Sequence, residues 1–313
     1  MGIIKTSGEL VFSPTMTIMI YGQPGVGKTT LALSAGKPCL LLDFDNGARR
    51  IAPAHRHDRV GFVPVTGWRD IEELLSDRAQ LEPFKTIAVD TVGKMMDFIV
   101  QSVSPSMRLR LNDWGKVNAR FKDFNRALGS LGKTIVYVAH RDVRHEGDDM
   151  VFVPSLRERN YTSIVTELDM LGYVEMRAEG GAVSRTITFD PTARNDGKNT
   201  CRMPASMVVP TVLDKDGNAT MPNDFLEREV IGRYAKSLEE DAARGREYAA
   251  MAESVGEAVS AISTAGEANA FVKGIAKYAV AGTTSKEYAR GLFAERVKEL
   301  GLRYNKETRL YED

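Results

Sequence analysis

The chain has 313 residues, 43% hydrophobic and 27% charged, which suits one large α/β domain with an extension or two small domains. Its 42 Lys and Arg equal its 42 Asp and Glu, so nucleic-acid binding by bulk charge is excluded and only a local patch remains for it. The longest apolar runs, residues 18–20 and 39–42, are far too short to span a bilayer, and the two cysteines, Cys39 and Cys201, are too few and too far apart for a disulfide framework.

No long apolar segment follows Lys5, as a secretory signal would require. The opening Met1-Gly2-Ile3-Ile4-Lys5-Thr6 fits the short N-myristoylation pattern, which by itself carries little weight. A reducing compartment and no membrane association are expected.

In chain order, residues 16–20 form a short β-rich apolar run, followed by a glycine-rich turn and a helical segment at 29–36. Strand candidates follow at 38–44, 60–65 and 85–90, and an amphipathic helix at 68–78 has Ile71, Leu74 and Leu75 on one face. A helix at 121–131 leads to a further strand at 133–140. Strands without clean alternation, separated by helices, predict a parallel sheet covered on both faces. Residues 171–177 and 184–189 read as a hairpin or edge extension joined by Ala178-Glu179-Gly180-Gly181. The stretch 190–223 is rich in Pro, Gly, Asn and Asp and reads as loop, and from Asp224 to the end the chain reads as helical. The expected division is an α/β core over 1–222 and a helical region over 223–313.

Gly22-Gln23-Pro24-Gly25-Val26-Gly27-Lys28-Thr29 matches G-x-x-x-x-G-K-[ST] completely, between an apolar strand and a helix that begins with Thr29 and Thr30. Glycines let backbone N–H groups turn inward around a phosphate, and the helix points its positive end at it. Lys28 is placed to reach the β- and γ-phosphates, and the Thr29 hydroxyl to bind Mg²⁺. The expected ligands are therefore ATP and Mg²⁺.

Mg²⁺ also needs a carboxylate at the end of a neighbouring strand, and Asp90 closes the apolar run Thr86-Ile87-Ala88-Val89. Thr91 follows it, so a base that activates water must come from elsewhere. In Leu40-Leu41-Leu42-Asp43-Phe44-Asp45-Asn46 two carboxylates end the next strand. Asp45, further out, is the expected base; Asp43 is expected to fix the loop or assist the metal. Both also fit a turn-closing role.

The order GQPGVGKT, LLLDFDNG, IAVDTV, IVYVAH resembles the RecA-like P-loop ATPases, over roughly residues 14–205. Within them it is similar to phage-type nucleotide-binding proteins of the AAA-domain kind that include single-strand annealing ATPases. Asp-Trp-Gly at 113–115, the helix at 116–128 and Val138-Ala139-His140 add to that similarity. The resemblance implies a mostly parallel RecA-like sheet, with His140 as a sensor of the γ-phosphate. It also implies a homo-oligomeric ring or filament acting on single-stranded DNA in recombination or annealing, with a single-strand DNA-binding protein as a further partner. The compartment implied is the cytoplasm of a bacterial or phage-infected host. One departure is the acid at the base position: the family usually has Glu, and Asp45 is one methylene shorter.

Two loops carry cations suited to single-stranded DNA. Residues 106–122 hold Arg108, Arg110, Lys116, Arg120 and Lys122 around Trp114 and Phe121, the mixture of charge and rings that suits phosphates and stacked bases. Residues 141–160 hold Arg141, Arg144, Arg157 and Arg159; the last two are candidates for DNA contact or for completing a neighbour's ATP site. Each stretch also fits a plainer description, an amphipathic helix with Trp114 buried and a charge-balanced surface hairpin. His55 and His57 lie among arginines and read as a solvated basic loop rather than a metal site.

Competing functions are a replicative-helicase motor, a GTPase, a small-molecule kinase and a nucleotide switch that does not hydrolyse. Asp90-Thr91-Val92-Gly93 matches the D-x-x-G of GTPases, but Asn305-Lys306-Glu307-Thr308 lacks the Asp that reads guanine.

Overall fold

The computed structural model describes residues 12–179, 182–280 and 282–313. The myristoylation pattern and the Gly180-Gly181 turn lie outside them. Two compact units are present, 13–235 and 236–313.

The first unit is built on a sheet whose strands are β1 (Thr17–Gly22), β2 (Cys39–Asp43), β3 (Val60–Pro64), β4 (Thr86–Asp90), β5 (Thr134–Glu146), β6 (Asp149–Pro154), β7 (Met170–Glu179), β8 (Ala182–Thr188), β9 (Lys198–Asn199) and β10 (Ser206–Val209). The order is β10-β8-β7-β1-β5-β4-β2-β3, with β6 pairing β5 and β9 pairing β7. From β7 to β3 neighbouring strands are parallel; β8, β9 and β10 extend the sheet antiparallel. This is the expected RecA-like α/β architecture, with the strand that carries His140 between the strand of the phosphate loop and the strand ending in Asp90.

Alternation along the central strands divides two cores. Met19 and Tyr21, Leu40 and Leu42, Ile87 and Val89, and Ile135 and Tyr137 face one core. There they meet α3 (Trp68–Ser76), α4 (Val92–Val103), α5 (Asp113–Gly129) and α6 (Glu158–Glu167). Ile18 and Ile20, Cys39 and Leu41, Ala88, and Val136 and Val138 face the other, with α1 (Lys28–Ala32) and Phe225, Leu226 and Val230. Apolar side chains on both faces explain why these strands read as continuous apolar runs.

Several expectations shift. The helix expected over 29–36 begins at Lys28 and ends at Ala32. β5 runs past His140 to Glu146: its first half is buried between β1 and β4, and its second half is exposed and pairs only with β6. The helix expected from residue 121 begins at Asp113. His55 is buried in the short α2 (Pro53–Arg56), not solvated; its burial, with Lys37 nearby, lowers its pKa.

The break expected at 222/223 falls inside the first unit. Asn223 Nδ2 donates to Thr30 O at 2.8 Å, Leu226 N to Ser34 Oγ at 3.0 Å, and Leu226 and Val230 complete the second core. The chain divides instead at 235/236, within α7 (Gly232–Ser260).

The second unit contains α8 (Ala265–Gly274) and α9 (Gly282–Glu299). Its end is not helical: β11 (Arg303–Asn305) and β12 (Leu310–Glu312) form a hairpin. Among the described residues no helix is long and apolar enough to cross a membrane.

Candidate nucleotide site

The site forms where β1, β2 and β4 end and β5 leaves its pairing with β1 and β4, the edge at which parallel α/β sheets place ligands. Gly22 closes β1 level with His140 of β5, and Asp90 closes β4 level with Val138. The polar residues expected from separate motifs therefore meet at one rim.

The loop between β1 and α1 turns through Gly25 (φ 81°) and Gly27 (φ 87°), a left-handed conformation that a side chain would strain. Lys28 is buried, and its Nζ donates to Gly22 O at 3.0 Å and Gln23 O at 2.7 Å. Burial lowers its pKa, and the charges of Asp90 and Asp45 oppose that. A desolvated ammonium held by two carbonyls suits a stronger anionic partner.

Thr29 Oγ1 donates to Asp90 Oδ2 at 2.5 Å, which joins the loop to β4 as Mg²⁺ binding requires. Burial pushes the Asp90 carboxyl up to about 6, with Asp45 and Asp43 adding to the shift and Thr29 and Lys28 opposing it. A cation at this point relieves that penalty. Among the described residues no group of three or more His, Cys, Asp or Glu makes a metal cage. Thr29 and Asp90 offer two oxygens, which fits Mg²⁺, an ion that takes few protein ligands and completes its shell with phosphates and water.

Asp43 and Asp45 separate in role. Asp43 is buried and accepts from Gly47 N at 2.8 Å and Ala48 N at 3.0 Å, so it fixes the loop after β2. Asp45 lies two residues beyond the end of β2. Its Oδ2 is 3.5 Å from Arg50, and its Oδ1 is buried without a hydrogen-bond partner. Asp45 lies within electrostatic reach of Lys28, Asp90 and His140. It lines a cavity of about 610 Å³ with Asn46, Thr66, Lys94, Gln101 and Met107.

His140 Nδ1 is also buried and without a partner. Burial lowers the imidazole pKa, Lys28, Lys94 and Arg50 lower it further, and Asp45 opposes them. The lowered pKa favours the neutral ring, which has one nitrogen donor to offer.

The cations proposed from sequence divide into free and engaged. Arg108, Arg110, Arg157 and Arg159 are exposed. Arg157 lies 3.7 Å over the ring of half-buried Trp114, so that face of the indole stacks on arginine. Arg144 is paired with Asp196 and Glu146, and Arg141 donates to Tyr173 OH and sits over Phe152. Arg120 is bonded to Ser102. Arg159 lines a groove of about 730 Å³ with Lys122 and Arg126, where Glu158 and Glu167 offset part of the charge.

One residue was missed by sequence reasoning. Arg185 of β8 brings its guanidinium against the loop: a Cβ added at Gly27 would lie 2.9 Å from Arg185 Cζ. No motif marks an arginine so far along the chain.

Asn305 accepts from Glu307 N at 2.9 Å and Thr308 N at 3.3 Å, so Asn305–Thr308 is the turn between β11 and β12. Its resemblance to a guanine-reading motif is a product of that turn.

Among solved structures, a KaiC-like protein from Pyrococcus horikoshii OT3 is similar over 55% of this chain and 77% of its own, at 13% identity and a TM-score of 0.35. The flagellar accessory protein FlaH from Methanocaldococcus jannaschii is similar over 63% of this chain and 90% of its own, at 14% identity and a TM-score of 0.36. No curated protein matches the chain. Residues 15–201, more than half the chain, match the AAA domain, and with the phosphate loop and Asp90 both inside that span the chain belongs to the AAA-domain family of P-loop proteins.

Proposed function

We propose that the chain binds ATP with Mg²⁺ and hydrolyses it, and that single-stranded DNA stimulates turnover. The observation that carries the catalytic part is the Thr29–Asp90 hydrogen bond, formed beside Lys28 and an Asp45 oxygen that has no partner. The loop N–H groups from Gly22 to Thr30 take the phosphates. Lys28 exchanges its two carbonyl partners for the β- and γ-phosphate oxygens. Thr29 and Asp90 hold Mg²⁺, which when bound neutralises charge developing on the phosphates. Asp45 orients water and accepts its proton through Oδ1, while Arg50 steadies the other oxygen. His140 donates to the terminal phosphate and passes its presence to the β5–β6 hairpin that continues the same strand.

The DNA part is supported by the placement of residues 104–112. Arg108 and Arg110 are exposed there, beside an 88% exposed Leu111, and Met107 of the same segment lines the cavity that holds Asp45. Strand contact on this segment therefore acts next to the base. Arg159 extends the cationic surface; Trp114 and Arg157 serve as a prestacked pair. A ring or filament of copies, a role in recombination or annealing and a cytoplasmic setting complete the reading.

ATP turnover of the purified chain, with and without single-stranded DNA and beside a size measurement, tests it. Turnover that rises with DNA supports the reading; a protein without Mg²⁺-dependent nucleotide affinity overturns it. Arg108→Ala with Arg110→Ala is expected to weaken DNA binding and flatten its salt dependence by about two phosphate contacts. An unchanged slope removes this segment from the DNA surface.

A further inference from the structure

Arg185 is a cation in an unusual place. β8 pairs with β7 on one side and β10 on the other, with Arg185 opposite Met176 and Val209. The residues after it, from Thr186 to Thr188, are buried. From this strand the side chain reaches the phosphate loop, where the guanidinium lies against Gly27: built there, a Cβ would stand 2.9 Å from Cζ, 3.0 Å from Nη2 and 3.2 Å from Nη1. Only a residue without a side chain leaves room for that approach.

Among the described residues nothing neutralises the guanidinium. Its Nε is buried without a partner. Among the described residues no carboxylate lies within ion-pair distance of it and no acceptor takes its protons. Other arginines of the same unit, Arg144 and Arg177 among them, are paired with carboxylates. Burial alone lowers the Arg185 pKa. A half-buried charge without a counter-ion is destabilising, and an apolar side chain of similar volume would fill the space at less cost. A planar fork of donors suits phosphate oxygens held two at a time.

We propose that Arg185 is a phosphate-binding residue of the nucleotide site, contributed by the same chain, that contacts the diphosphate held by the loop around Gly27. The inference rests on the nucleotide-binding reading above and adds a second cation to Lys28. The loop backbone at Gly27 cradles the inner phosphates while Lys28 serves the β- and γ-phosphates. Arg185 therefore supports ADP as well as ATP, and it retains product as much as it holds substrate.

Calorimetric binding of Mg²⁺·ATP, Mg²⁺·ADP and inorganic pyrophosphate to full-length wild type, Arg185→Met and Arg185→Lys tests this, beside thermal unfolding without ligand. Arg185→Met is expected to weaken ADP and pyrophosphate alike, roughly ten- to hundred-fold, with Arg185→Lys between it and wild type. Without ligand, Arg185→Met is expected to melt at or above the wild-type temperature, because a half-buried charge with no ion-pair partner among the described residues has been removed. Unchanged affinities overturn the proposal. So does loss of ATP affinity with pyrophosphate affinity intact, which makes Arg185 a base-stacking residue. A lower unliganded melting temperature with normal affinities makes it purely structural. Wild type that binds none of the three ligands brings down the nucleotide reading itself, an outcome distinct from the other three.

Discussion

The nucleotide rim and the C-terminal unit treat polar groups in opposite ways. In the C-terminal unit Thr264 and Glu267 cap α8 reciprocally, and Asn269 both donates to Tyr311 O and accepts from Tyr311 N. Phe271 stacks on Phe293 and Tyr278 in its core and Tyr311 meets Phe293 edge-on, although the Tyr278 hydroxyl is buried without a partner. At the rim, Asp45 Oδ1, His140 Nδ1 and Arg185 Nε are all buried and unpartnered, and Asp90 is held well above its ordinary carboxylate pKa. Buried polar groups are ordinarily satisfied. His55 Nε2, Thr86 Oγ1 and Thr186 Oγ1 of the same unit are also buried without a partner, but Asp45, His140 and Arg185 stand around the phosphate loop, where a charged ligand would offset the stability they give up.

That contrast breaks most visibly at Lys28. Lys28→Ala is expected to lower Mg²⁺·ATP affinity by about a thousand-fold, near 4 kcal/mol, with little loss of folding stability. A variant that binds ATP normally would remove the loop from the site. Asp45→Asn keeps binding and lowers turnover by roughly 10²–10⁴ in single-turnover assays; wild-type turnover would reassign the base. In the other unit the expectation reverses. Phe293→Ala costs about 3–5 kcal/mol in denaturant unfolding of that unit and leaves nucleotide affinity unchanged.

Asp90 sharpens the comparison through pH. Its folded pKa, about 6, lies above its ordinary 3.8, so the folded chain favours the protonated carboxyl. The stability this contributes is present below 3.8 and lost as pH rises through about 6. Mg²⁺ needs the carboxylate, so Mg²⁺-dependent affinity falls as pH drops below about 6, while Asp90→Asn melts higher at neutral pH and loses the Mg²⁺ dependence. Titration of affinity and melting temperature against pH checks both signs. The smallest effect is at a cap: Thr264→Ala costs about 1 kcal/mol by thermal unfolding, with no change at the rim.

Much of the rim was legible in the chain itself. A strand, a glycine turn, Lys28 and Thr29 are local in sequence, and local spacing encodes backbone shape. Asp90 was visible because an apolar run ended on a carboxylate. The continuous apolar strands also foretold a sheet covered on both faces. What was not legible depended on contacts between distant segments. The boundary moved to 235/236 because Ser34 and Thr30 bind the segment after Asn223. The terminal hairpin was hidden because three-residue strands give too short a pattern to distinguish from a helix end.

The sequence by itself determined the phosphate loop, the parallel sheet and the identity of Asp90, because each is written in residues adjacent along the chain or repeated with the period of a strand. Tertiary structure alone decided that Asp43 serves the loop while Asp45 stays open, and that Arg157 covers Trp114. It also decided that Arg185 lies on Gly27. Charge compensation is a property of neighbours in space, and only folding settles which neighbours a buried charge has.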